Sequence, residues 1–316
     1  MPNNKSLISA AAVALGLLSM ANFATATEAK STQFSSLSQF GDNPGELTAS
    51  YFKPSSSAKT LVVLLHGCVQ DAKVLAKQSG FLAQAKAHNF ALLLPQQSKA
   101  NNIKQCFNWF SAPDTDRDKG ETLSLKNMIL RTKKTLEADK VYIAGLSAGG
   151  AMASSILVNY PEMFDGGAVI AGLPYPCADS LIKAISCMRT GPSQTADELA
   201  ALARKTSPKT SQWPPLYVIT GDSDNVVNAD NSAKLAQQWA QLAALKSFSM
   251  SKENDSDVMQ WSDSNKRSQI KLVTISGMDH GLSVNPDVEN GGEVAPFLPK
   301  AQLSAAKDIV DFWQLN

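Results

Sequence analysis

Apolar and polar positions along the chain follow two alternating rhythms. Uninterrupted apolar runs recur as TLVVLLHG from Thr60, FALLLP from Phe90, KVYIAG from Lys140, GGAVIAG from Gly166, PLYVITG from Pro215 and IKLVTISG from Ile270. They are rich in leucine and β-branched residues, and each stops at a glycine or proline. Such runs predict strands buried on both faces, as in a parallel sheet. LTASYFKP, ending at Pro54, predicts one further short strand. Between the runs, apolar residues return at helical spacing over 71–87, 122–138, 148–159 and 229–245, with a last helix over about 299–314. Strand and helix alternate. The pattern therefore predicts an α/β fold, with right-handed βαβ units and a mostly parallel sheet covered by helices on both faces.

Two segments break the rhythm. Residues 172–213 form a long excursion between two strands, expected as a lid-like insertion at the C-terminal edge of the sheet. Residues 251–269 are more polar and read as an exposed loop or hairpin. Nothing resembling a linker separates a second domain, so 46–316 is expected as a single catalytic domain.

The N-terminus has a different character. Lys5 precedes the uncharged run LISAAAVALGLLSMA, and Ala24-Thr25-Ala26 follows as a small-x-small cleavage site. Residues 1–26 read as a secretory signal peptide and 27–45, rich in Ser, Thr and Gln, as a flexible leader. The apolar run is shorter than the ~20 residues a membrane span needs. The expectation is a secreted protein, periplasmic or extracellular, with no membrane attachment in its mature form.

Charge removes one class of function. The chain carries 29 basic and 28 acidic side chains, and loss of Lys5 with the signal leaves 28 of each. That balance offers no basic stripe for nucleic acid. The four cysteines, Cys68, Cys106, Cys177 and Cys187, suit two disulfides in an exported chain. Proximity favours Cys177–Cys187, which leaves Cys68–Cys106. No metal site is expected, since there is no C-x-x-C and the chain has 3 histidines.

The chemistry centres on Gly145-Leu146-Ser147-Ala148-Gly149, set between a strand and the helical run AMASSILVNY. A G-x-S-x-G turn in that context is the nucleophile elbow of α/β-hydrolases. Side chains two residues either side of the serine would collide with strand and helix, and the glycines remove them. A phosphate-binding loop would need Lys-Ser/Thr after its last glycine, whereas Ala151 and Met152 follow Gly150. A serine nucleophile needs a histidine base and an acid to orient it, in chain order Ser, Asp/Glu, His. His66 and His88 precede Ser147, so His280 is the candidate base. Asp222, Asp224 and Asp230 are in reach as the acid. The pattern does not separate the first two, while Asp230 suits the start of a helix. The backbone N–H groups of Ala148 and Cys68 are the candidate oxyanion donors.

Taken in order, LVVLLHGCVQD, CFNWF, KGETLSLKNMI, VYIAGLSAGGAMASSI, YPEMF, AGLPYPCA, GDSDNVV and GMDHGLS resemble the secreted polyhydroxybutyrate depolymerase-type esterases, a group that includes feruloyl and acetylxylan esterases. The resemblance runs over roughly residues 40–315. It implies an α/β-hydrolase fold and a serine carboxylesterase without cofactor, acting on hydroxyalkanoate esters or polyhydroxybutyrate-type polymer or oligomers. The alternative is feruloyl or acetylxylan esterase action on plant polysaccharide. A non-catalytic exported binding protein and a peptidase are the remaining alternatives. The resemblance places the nucleophile on Ser147, the base on His280 and the acid on Asp224. It also suggests Trp109 as a substrate-binding aromatic near the cleft. The chain departs from the family at Thr220, where His often precedes the glycine, and at Gly281-Leu282, where Ala-Trp often follows the base.

Overall fold

The computed structural model describes residues 33–316. The expected signal peptide and the first part of the expected leader lie outside the described residues. The strands are β1 (Ser35–Ser36), β2 (Thr48–Phe52), β3 (Thr60–Leu65), β4 (Ala91–Gln96), β5 (Lys140–Leu146), β6 (Gly166–Ile170), β7 (Leu216–Gly221), β8 (Ser249–Glu253), β9 (Ser256–Ser262) and β10 (Ser268–Ile275). The first helices are α1 (Ala72–Gln78), α2 (Phe81–Ala87), α3 (Ala112–Thr115), α4 (Gly120–Leu136) and α5 (Ala148–Asn159). They are followed by α6 (Leu181–Thr190), α7 (Ala196–Thr206), α8 (Asp230–Leu242) and α9 (Ala305–Phe312).

The strands form one ten-stranded sheet in the order β1-β2-β4-β3-β5-β6-β7-β10-β9-β8. The central strands β4, β3, β5, β6, β7 and β10 run parallel, and antiparallel pairs extend both edges. The apolar runs explain this. In β3, Leu61, Val63 and Leu65 point to one core layer, while Val62 and Leu64 point to the other. The first layer packs against α5 and α8 through Met152, Ile156 and Trp239. The second packs against α2 and α9 through Phe81, Leu82 and Ile309. Because neither face meets water, the central strands carry no polar alternation.

Three expectations about the elements need correction, while the hairpin reading of 251–269 holds. The single helix expected over 71–87 is two, broken at Gly80, whose φ of +90° lies outside helical geometry. The last helix starts at Ala305 rather than near 299, because Lys300 and Ala301 pair with Val284 in extended conformation. Residues 33–45, read as leader, are held to the domain. Ser35 and Ser36 pair with β2, and Gly45 N–H donates to Ser124 Oγ at 2.8 Å. The polar stretch 251–269 forms the hairpin β8–β9 together with the start of β10. The 172–213 excursion contains two helices. A Thr-x-x-Glu capping box, Thr195 with Glu198, starts α7. Among the described residues no helix is long and apolar enough to cross a membrane.

Candidate active site

Three strand ends converge at the C-terminal edge of the sheet. Ser147 follows β5 at φ 56°, ψ −120°, a backbone region that costs energy and is held by its surroundings. Ser147 N–H donates to Ile170 O at 2.9 Å, and Ala151 N–H returns to Ser147 O at 2.9 Å. The flanking glycines are required by contact. A Cβ on Gly149 would lie 2.5 Å from the carbonyl oxygens of Leu65 and His66, and one on Gly145 would run into the Gly149 carbonyl.

His280 stands on the loop after β10. Its Nε2 lies 2.9 Å from Ser147 Oγ, and its Nδ1 lies 2.7 Å from Asp224 Oδ2. Asp224 is on the loop after β7, the strand that pairs with β10. Its side chain is fully buried, and its other oxygen accepts from Val226 N–H and Val227 N–H, each at 2.8 Å. The carboxylate is thus fixed before it meets the imidazole. Asp222 does other work: its Oδ1 accepts from Gly277 N–H at 2.7 Å and ties the two loops together. Gly221 lets them meet, since a Cβ there would strike the Met278 carbonyl. Asp230 begins α8, with its N–H bonded to the Asn228 side chain. The geometry therefore separates the three aspartates, with Asp224 alone at the imidazole.

The opposite wall is the loop after β3. A Cβ on Gly67 would lie 3.4 Å from Ser147 Cβ, so this loop passes directly beside the serine. Ala148 opens α5, where an N–H has no intrahelical acceptor and the helix dipole favours negative charge. The next peptide after Gly67 carries the Cys68 N–H. Cys68–Cys106 and Cys177–Cys187 are both disulfides. The first clamps this loop to segment 104–106, aided by Val69 N–H donating to Lys104 O at 2.7 Å. Val69 sits at φ 59°, a genuine outlier for a β-branched residue, so the clamp holds the loop in a strained shape.

Two residues escaped the sequence reading. His66 had been set aside because it precedes Ser147. It is fully buried, and burial pushes its pKa down, which keeps the ring neutral. The Gln97 N–H donates to its Nε2 at 3.1 Å, so the proton resides on Nδ1 and is donated to Gly67 O at 2.7 Å. That carbonyl belongs to the same planar unit as the Cys68 N–H and points the opposite way. His66 thereby sets the direction of the candidate oxyanion donor. Glu121 is the second. It is fully buried and accepts from Gln97 Nε2 at 2.5 Å, Asn108 N–H at 2.9 Å and Asn101 Nδ2 at 3.4 Å. Burial, more than any neighbouring charge, raises its pKa to about 8. The only signal for either was its place beside a strand or helix end in the motif blocks.

Trp109 belongs to the core layer under α5, is 8% exposed, and meets Phe110 edge-on at 5.6 Å. It has little face to offer a ligand, unlike the expected substrate-contacting role.

The chain also resembles known proteins in sequence and in fold. The model of the family described as Esterase PHB depolymerase matches residues 47–253, a span that includes Ser147 and Asp224. The chain is 33% identical over 293 residues to poly(3-hydroxyalkanoate) depolymerase C of Paucimonas lemoignei, covering 89% of this chain and 67% of that protein. It is 30% identical over 230 residues to feruloyl esterase B of Talaromyces stipitatus, covering 69% of this chain and 63% of the relative. The chain thus spans about two thirds of these relatives. Among solved structures, an acetyl xylan esterase from Aspergillus awamori superposes with a TM-score of 0.74 at 18% identity, covering 90% of this chain and 99% of the other. That likeness shows the α/β-hydrolase fold.

Proposed function

Because the chain belongs to the Esterase PHB depolymerase family of carboxylic ester hydrolases, we propose that it is an exported serine esterase in which Ser147, His280 and Asp224 act as the triad. The observation that carries this reading is the continuous relay from a fully buried carboxylate through His280 to a serine on a strained turn, with contacts of 2.7 and 2.9 Å. His280 Nε2 removes the Ser147 proton as Oγ attacks the ester carbonyl. Asp224 holds the imidazole with its Nδ1 proton inward and stabilises the imidazolium. The Cys68 and Ala148 N–H groups take the oxyanion, each such donor being worth about 3 kcal/mol in the transition state. His280 then protonates the leaving alcohol and afterwards activates water to release the acid.

The proposed substrates are hydroxyalkanoate esters and their oligomers, supported by the similarity to the depolymerase. A feruloyl ester of polysaccharide is the second reading, supported by the similarity to the feruloyl esterase. A p-nitrophenyl panel of acetate, butyrate, 3-hydroxybutyrate and ferulate decides between them. Preference for 3-hydroxybutyrate is expected, and preference for ferulate would select the second reading.

A further inference from the structure

The chain beyond His280 folds back over it. Leu282 N–H donates to the Phe297 carbonyl, and Val284 N–H to that of Pro299, each at 3.0 Å. Gly281 permits this approach. A Cβ on it would lie 2.5 Å from the Phe297 oxygen and 2.6 Å from Pro299 Cδ. The returning segment makes a tight turn, closed by Leu298 N–H donating to Ala295 O at 2.9 Å. Pro296 fills the second position of this turn and Phe297 the third, with φ 63°. A left-handed third position behind proline normally holds glycine or asparagine. A bulky residue there is strained, and strain of this kind gathers at functional sites. The ring does not repay the strain by burial: Phe297 is 42% exposed, whereas Leu298 beside it is 1% exposed. Instead it stands edge-on to the His280 imidazole, with centroids 6.5 Å apart at 81°.

Resting on the esterase reading above, we propose that Phe297 is a specificity-determining residue that packs against the alcohol half of the ester. The side follows from the proton transfer. His280 Nε2 must reach the leaving oxygen, so the alcohol group lies on the His280 side of Ser147. The carbonyl oxygen faces the opposite wall, at Gly67 and Cys68. A ring beside the imidazole therefore meets the alcohol substituent before the acyl chain. Esters whose alcohol is planar or apolar next to the ester oxygen gain from this contact, and small alcohols do not.

The test keeps the acyl group fixed. kcat/KM is measured on benzyl acetate and ethyl acetate for the wild type, Phe297→Ala, Phe297→Tyr and Gly281→Ala, alongside ethyl esters of increasing acyl length. The benzyl-to-ethyl ratio is expected to fall about tenfold in Phe297→Ala and to be restored by Phe297→Tyr. Gly281→Ala, which drives the Phe297 carbonyl away, should lower the ratio in the same direction while keeping the ring. The acyl-length preference should keep its wild-type order. Equal losses on both acetates in Phe297→Ala, or a changed acyl order with an unchanged alcohol ratio, would overturn the assignment. Failure of the esterase reading itself is distinguishable, because the wild type would then turn over none of these esters.

Discussion

Replacing Glu121 by Gln separates two opposing forces at one buried carboxyl. Three N–H donors reach its oxygens, which favours the charged form. Among the described residues no cation pairs with it, and burial of the side chain favours the neutral form. Burial prevails, and the folded-state pKa stands at about 8 against an ordinary 4.5. Between those values the native protein holds a proton that the unfolded chain has lost. Native protons exceed unfolded ones, so stability falls as pH rises from about 4.5 to about 8 and then levels. At about 1.4 kcal/mol per pKa unit the total is about 5 kcal/mol. Glu121→Gln removes this titration while keeping the shape. Urea midpoints of both proteins at pH 5 and pH 9 measure the difference. The Gln variant should match the wild type within about 1 kcal/mol at pH 5, the scale of one hydrogen bond, and exceed it by several kcal/mol at pH 9. A difference independent of pH, or a wild type that gains on the variant at pH 9, would refute the reasoning and show that the three donors outweigh burial.

Other outcomes follow from the site. Reducing Cys68–Cys106, which closes a loop of 38 residues, should remove about 4 kcal/mol of stability and lower ester turnover in mild reductant before circular dichroism reports unfolding. Asp224→Asn should lower kcat about 10⁴-fold with little change in KM, because the amide presents the wrong partner to His280 Nδ1. His66→Gln should free the Gly67–Cys68 peptide and lower kcat about 10²-fold, leaving KM near wild type in steady-state assays.

What the sequence made legible depended on how local the cause was. The parallel strands could be read because burial on both faces leaves an apolar run, and the elbow because its glycines answer to contacts within a few residues. The acid could not be chosen by spacing. Asp222 and Asp224 differ only in which way a loop turns after β7, and that turn is set by Gly221 against Met278 and by the N–H groups of Val226 and Val227. His66 was misjudged because chain order describes the triad and says nothing of what supports the oxyanion loop. The break at Gly80 was hidden by apolar spacing that continues through it, and the burial of Trp109 by its place in a core layer drawn from segments distant in the chain. Phe297 lies beyond any sequence window around His280, since Gly281 and a returning segment bring it there.

The account rests on Ser147 being the group that His280 activates. The most direct measurement is labelling of the purified protein by a fluorophosphonate, with the modified residue located by peptide mass spectrometry and the rate compared in His280→Ala. The account predicts one label per chain, on Ser147, formed at least 10³-fold more slowly in the variant. A folded protein that takes no label, takes it on another residue, or labels equally fast without His280 would contradict it.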